Sequence, residues 1–211
     1  MRLLVAISSC QAYENSGLNA PLRETWLKDL TRLGIDYKFF HGRGATPKDD
    51  VVLVDCDDGY WDLTSKTKLK IKWSLDNGYD YVFMCFPDTY VCASRLLTSG
   101  FEQFDYFGCV HQHPGGSPYC QGGPGYFLSR KACEVLDKKE SNYPNEDCWV
   151  GDQLHNNYEI HRGDSKAFSY CGPGPLKTNH TITNHLSTQP GGYVGTNVFS
   201  EHKLWLESLE Q

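Results

Sequence analysis

The sequence predicts an α/β protein, a largely parallel sheet with helices on its faces, and three observations carry that reading. Strand-like and helix-like segments alternate from Leu3 to Val91. The strand-like segments are near-continuous apolar runs, as strands buried on both faces are. Acids follow two of them, Val51–Val54 and Tyr81–Phe86, where an open α/β sheet binds its ligands.

The elements follow in order. Leu3–Ile7 is a first strand. Pro21–Leu33 is a helix: Pro21 suits its first turn, Gly34 ends it, and Leu22, Trp26, Leu27 and Leu30 share one face. Ile35–Phe40 is a second strand and Gly42–Pro47 a loop. Val51–Val54 is a third strand, followed by the acidic run Asp55-Cys56-Asp57-Asp58-Gly59. Leu63–Leu75 is a second helix, with Leu69, Lys72, Trp73 and Asp76 at helical spacing, and Tyr79–Phe86 is the fourth strand. Beyond Asp88 the pattern loosens. Tyr106–Val110 reads as a strand, and Tyr119–Ser129 as a glycine-rich approach to a short strand. Ser129 can N-cap a helix running to about Lys138. Asp147–Asn156 is a short helix with Glu146 and Asp147 in its first turn. Gly172–Pro175 and Gly191-Gly192 mark a loop-rich C-terminal region. Leu204–Leu209 is a last helical turn or two without a clear cap, so the chain is expected to be cut from a longer one.

At 211 residues the chain can bury one sizeable core, and a single domain over 1–211 is expected. The net charge of −6 argues against a nucleic-acid face, which needs a basic patch. Met1–Ile7 stops short of a signal-peptide core, and no stretch approaches a membrane span. The nine cysteines are odd in number and several lie within apolar strand patterns, so a reduced, cytoplasmic protein is expected. The sequon Asn179-His180-Thr181 has no meaning in that compartment.

Four features bear on chemistry. Asp88 ends the fourth strand; it is either turn chemistry or a carboxylate that meets a metal carrying a substrate phosphate. Asp55, Asp57 and Asp58, with Lys66 in the next helix, form a second cluster that also reads as a solvated turn. Pro118–Tyr126 holds Gly122, Gly123 and Gly125, suited to close approach by a sugar or to a plain hairpin. Glu146 and Asp147 are dipole partners of their helix or, alternatively, a positioned base. Cys109, His111, His113 and Cys120 have ligand types at strand spacing, but not the spacing of a standard zinc site.

Taken together these motifs resemble the β-1,3-galactosyltransferase and fringe-like group of nucleotide-sugar glycosyltransferases. Tyr60–Thr67 resembles that family's YxNLTxKT element and Arg23–Trp26 its RxTW helix. Tyr81–Val91 resembles its DxD strand, Pro118–Tyr126 its PYCxGxGY, and Glu146–Gly151 its EDVxxG. The chain is also similar to an N-terminal glycosyltransferase domain of a large chlorovirus protein, which would set it in host-cell cytoplasm.

The resemblance implies a GT-A fold with a mixed, mostly parallel central sheet, its nucleotide-binding half at about 1–92 and its acceptor-side half at about 93–211. It implies a UDP-sugar donor, a glycan acceptor and Mn²⁺ or Mg²⁺. Asp88 would bind metal and diphosphate, with His185 as a second ligand. Asp147, beside Glu146, would deprotonate the acceptor in an inverting reaction. Ser8, Ser9, Arg23, Asp57 and Lys66 would line the nucleotide pocket, and Gly122 and Gly123 the sugar site. Phe86 stands where the family has the first acid of DxD. That departure keeps open a catalytically degenerate sugar- or nucleotide-binding module. A pyrophosphorylase is disfavoured, because Ser8-Ser9-Cys10-Gln11-Ala12 has no basic residue. A monomer is expected.

Overall fold

The computed structural model describes residues 1–141, 145–170, 180–185 and 202–203. The expectations at Gly172–Pro175, Gly191-Gly192 and Leu204–Leu209 lie outside those residues.

In chain order the strands are β1 (Leu3–Ser8), β2 (Asp36–His41), β3 (Val51–Leu53), β4 (Tyr81–Cys85), β5 (Thr89–Val91), β6 (Tyr106–Gly108), β7 (Val110–His111), β8 (Tyr119–Cys120), β9 (Tyr126–Ser129), β10 (Arg162–Asp164), β11 (Phe168–Tyr170) and β12 (Thr183–His185). The helices are α1 (Gln11–Asn15), α2 (Ala20–Glu24), α3 (Trp26–Arg32), α4 (Leu63–Asp76), α5 (Ala93–Leu97), α6 (Arg130–Asp137) and α7 (Glu146–His155). Seven strands form one sheet in the order β10-β6-β9-β4-β1-β2-β3. Only β9 runs against its neighbours, β4 and β6. A smaller sheet has the order β11-β12-β5, and β7 pairs with β8.

The central strand β1 is buried along its whole length, as its unbroken apolar run predicts. Leu3, Val5 and Ile7 face a cluster with Leu22, Trp26, Leu27, Leu30 and Phe39. Leu4 and Ala6 face the opposite cluster, with Ile71, Leu136, Trp149 and Val150. Ser129 caps α6, its Oγ accepting from the Ala132 N–H at 3.2 Å. No helix among the described residues is long and apolar enough to cross a membrane.

Two expectations change, and the buried face of one helix is added to them. Pro21–Leu33 is two helices, because Thr25 leaves helical geometry (φ −117°, ψ −112°) and its hydroxyl donates to the Pro21 carbonyl at 2.6 Å. The predicted apolar face survives the break. Helix α4 buries Thr64, Lys66, Thr67, Lys70, Ile71 and Ser74, while Lys72 and Asp76 pair in solvent. Leu69, Trp73 and Leu75 are half-buried against the second cluster. Tyr106–Val110 splits at Cys109, where the pairing changes: Tyr106–Gly108 pairs with β9 and β10, and Val110–His111 with β8.

The first crossover is pinned electrostatically. Glu14 of α1 accepts from Arg23 at 2.9 Å, from Asn19 at 2.8 Å and from Lys48, while Arg23 also reaches Asp50 at 2.6 Å. Burial opposes ionisation of Glu14, yet the hydrogen bonds from Arg23, Lys48 and Asn19 outweigh it and hold the carboxyl down at about 2. The folded-state value lies below the unfolded one. The stabilisation is therefore complete above about pH 4.5 and is lost as pH falls toward 2.

Two predictions follow from this packing. Glu14→Gln should destabilise the protein at neutral pH by roughly 2–3 kcal/mol, and its deficit in urea titrations should shrink as pH is lowered from 4.5 toward 2. A deficit constant with pH would remove Glu14 as the linked group. In α7, Gly151 packs on β8: a Cβ there would lie 2.4 Å from Tyr119 Cβ and 2.9 Å from the Pro118 carbonyl oxygen. Alanine normally improves a helix interior. Here Gly151→Ala should instead lower stability by about 2 kcal/mol, read as a lower Tm.

Candidate active site

Strands β1, β2, β3 and β4 are parallel neighbours, so their C-terminal ends share one edge of the sheet. Strand β9 is antiparallel, with Tyr126 opposite Met84, so it begins at that same edge. The glycine-rich loop ahead of β9 is thereby delivered to the strand ends. Helix α7 closes the edge from the far side by packing on β8.

At the end of β1, Ser8 and Ser9 are buried. Lys66 is 3% exposed; its Nζ donates to the Ser9 carbonyl at 2.8 Å and pairs with Asp58. Asp58 also accepts from the Gly42 N–H at 2.7 Å, which fixes the loop after β2. Ser9 Oγ donates to Asn19, linking this end to the Glu14–Arg23 network. The structure thus brings Ser8, Ser9 and Lys66 to one end, with Arg23 a network away and stacked over Phe39 at 4.5 Å. Asp57 is elsewhere: it lies in solvent and pairs with Arg43 at 2.8 Å. Asp58 takes the inward place expected of Asp57, because the turn after Cys56 directs only Asp58 toward Lys66.

At the end of β4, Asp88 meets His185. The antiparallel pairing of β12 with β5 sets His185 opposite Thr89, and His185 Nε2 lies 3.4 Å from Asp88 Oδ1. Burial lowers the His185 pKa, against the pull of Asp88, and so favours the neutral imidazole that can ligate a metal. A carboxylate oxygen beside an imidazole nitrogen suits Mn²⁺ better than Mg²⁺, which prefers oxygen. Gly123 lies against this pair: a Cβ there would come within 2.7 Å of the His185 ring. Its carbonyl accepts from Thr89 Oγ1 at 2.7 Å. Phe86, in place of a further acid, adds no ligand. Among the described residues no cluster of three or more His, Cys, Asp or Glu could hold a metal. That includes Cys109, His111, His113 and Cys120, where His113 instead meets the Tyr119 hydroxyl at 2.8 Å.

The neighbouring glycine faces α7. The Gly122 N–H donates to Asp147 Oδ2 at 3.0 Å, and a Cβ on Gly122 would fall 2.4 Å from Glu146 Oε1. Asp147 is half-buried, and its other oxygen accepts from the Cys148 N–H at 2.8 Å. Glu146 turns inward and is buried, accepting from the Tyr126 hydroxyl at 2.5 Å. It cannot touch a ligand at the surface, so of the two acids only Asp147 is placed to meet one. Burial, with Asp147 alongside, pushes the Glu146 carboxyl up, and Lys70 opposes that shift. Lys70 is itself buried, its Nζ donating to Ser8 Oγ at 2.5 Å, and burial pushes its ammonium down.

Sequence reasoning missed Asn19, Lys70 and His41, and placed Asp58 in the acidic cluster beside Lys66 without choosing it over Asp57. His41 ends β2 and is fully buried, and neither ring nitrogen has a hydrogen-bond partner among the described residues. Its place at a strand end was the available signal. For Lys70 the signal was its spacing of four from Lys66 on one helix. A cleft of about 500 Å³ lined by Val135, Lys139, Gln153 and Asn156 contains none of the site residues.

No protein-family model matches the chain. No curated protein matches it by sequence. Among solved structures, the chain is similar to a glycosyltransferase involved in the glycosylation of the major capsid of PBCV-1. The likeness covers 90% of this chain and 95% of that one, with a TM-score of 0.53 and 11% sequence identity. A weaker likeness, to A197 from STIV, covers 77% and 80% of the two chains with a TM-score of 0.42 and 14% identity. The mixed, mostly parallel sheet flanked by helices, together with the first of these likenesses, makes the fold GT-A-like.

Proposed function

We propose that the protein is a glycosyltransferase that moves a sugar from a UDP-sugar donor to a hydroxyl of a glycan acceptor, assisted by Mn²⁺. One juxtaposition carries the reading. Two successive glycines join the candidate halves of the chemistry, Gly123 against His185, which itself meets Asp88, and Gly122 against Asp147. The GT-A-like fold and the likeness to a viral glycosyltransferase support it.

Asp88 and His185 would hold the ion, which when bound neutralises a leaving diphosphate. Gly122 and Gly123 bring the loop backbone directly against Glu146 and His185, and a sugar would lie along that backbone. Asp147, oriented by the Gly122 and Cys148 N–H groups, would take the acceptor proton in an inverting reaction. Glu146 acts behind it as a positioning residue, through Tyr126 and the start of α7. The absence of an acid at Phe86 favours a second reading, a non-catalytic nucleotide-sugar-binding module of the same fold. Release of UDP from a UDP-sugar separates the two.

The reading is tested by calorimetric titration of UDP with and without Mn²⁺, against GDP and dTDP. Asp147→Asn should reduce transfer by roughly 10²–10⁴-fold while UDP affinity stays within about two-fold. Full transfer by that variant would remove Asp147 as base. Asp88→Ala should abolish the gain in UDP affinity that Mn²⁺ confers, a loss of roughly ten-fold or more. An unchanged metal response would place the ion elsewhere.

A further inference from the structure

We propose that Tyr60 and Trp61 form a stacking platform for a pyranose ring of the acceptor, an inference that rests on the transferase reading above. The two residues lie on a single 3₁₀ turn, Tyr60–Asp62, leading into α4. They are 63% and 74% exposed, adjacent, and packed edge to face with ring centroids 5.5 Å apart. Isolated exposed aromatics are unremarkable, but two together on a rigid turn form an apolar patch of the kind that marks a ligand surface.

The turn is rigid for stated reasons. Asp62 N–H donates to the Gly59 carbonyl at 3.1 Å, and a Cβ on Gly59 would lie 2.7 Å from Asp62 Oδ2. Helix α4 then carries Lys66 and Lys70 down to the end of β1, so platform and sheet edge share one element.

The position points to the acceptor. The Tyr60 hydroxyl donates to Asn145 Oδ1 at 3.3 Å. Asn145 is the residue before α7, two ahead of Asp147, and its side chain makes no capping bond to its own helix. Its amide N–H₂ can therefore serve a hydroxyl beside the rings. A sugar presents an apolar C–H face and a polar rim, and the Tyr60–Trp61 ring pair with an amide at the Tyr60 hydroxyl matches both. The donor diphosphate, by contrast, needs charge, and the Lys66–Asp58 pair lies in the first turn of α4 with Lys66 buried and turned to the end of β1, whereas the two rings stand in solvent.

The test is saturation-transfer NMR with the methyl glycosides of glucose, galactose, xylose and rhamnose, on the wild-type protein and on Trp61→Ala and Trp61→Phe. At least one glycoside should receive saturation on its ring C–H protons. Binding should weaken roughly ten-fold in Trp61→Ala and be largely retained in Trp61→Phe. The platform is overturned by no transfer to any glycoside, by transfer that survives Trp61→Ala, or by loss of UDP affinity in that variant. It is equally overturned by a wild-type dimer that Trp61→Ala splits, which would make the patch a protein contact. UDP titration of the wild-type protein keeps the two readings apart: glycoside contact without UDP binding sinks the nucleotide-sugar donor and leaves the platform standing.

Discussion

An ammonium group removed from water must find charge or hydrogen-bond partners, and Lys70 is 1% exposed. Its Nζ donates to the Ser8 hydroxyl at the end of β1, and the Glu146 carboxyl at the start of α7 favours its charged form. Glu146 is in turn held by Tyr126 at the start of β9. One buried cation thus ties the central strand, the antiparallel strand, α4 and α7 to a common point. The tie is electrostatically expensive, because burial disfavours both charges and pushes the two pKa values toward each other. Such a pair is poor evidence for stability but good evidence for fixed geometry. Asp147, one residue beyond Glu146, inherits its position from it.

The direction of β9 is the second constraint. A parallel strand beside β4 would begin at the opposite edge of the sheet, and the glycine loop would start there too. Running antiparallel, β9 sets Tyr126 opposite Met84 and its preceding loop beside Asp88. The loop can only fit because it lacks side chains. Gly125 adopts φ +88°, and a Cβ there would lie 2.4 Å from Phe83 Cζ. Gly122 and Gly123 are each excluded from bearing a side chain by a different functional group, Glu146 and His185. The glycines are therefore the joint of the site rather than a flexible connector.

These facts explain what the sequence could and could not reveal. The apolar runs of β1 and β4 and the Ser129 cap were legible because each is a local signal read by burial or by a single hydrogen bond. The meeting of Asp88 with His185 was legible only through family resemblance, since it depends on a strand pairing across almost a hundred residues. The buried face of helix α4 was not legible, because α4 buries Lys66 and Lys70 against strand ends that offer carbonyls, hydroxyls and acids, which apolar periodicity does not mark. Asp57 and Asp58 are chemically alike and adjacent, so only the path of the turn distinguishes the exposed pair with Arg43 from the inward pair with Lys66.

The charge balance of the sheet edge bears on how a diphosphate could be accommodated. Lys66 is committed to Asp58, Arg23 to Glu14 and Asp50, and Lys70 to Ser8 with Glu146 behind it. A diphosphate drawn to any of these would have to break an existing pair and strand a partly buried acid, at a cost of several kcal/mol. The Asp88–His185 pair is different. It presents one carboxylate and one imidazole whose pKa burial lowers, a donor set with excess negative charge. Such a set repels a bare phosphate and attracts a cation. The two tendencies are reconciled if cation and diphosphate arrive together, each supplying what the other's site lacks. On that argument Phe86, which offers no oxygen, would leave the protein alone a weak holder of such a cation, and phosphate oxygens would supply the further ligands.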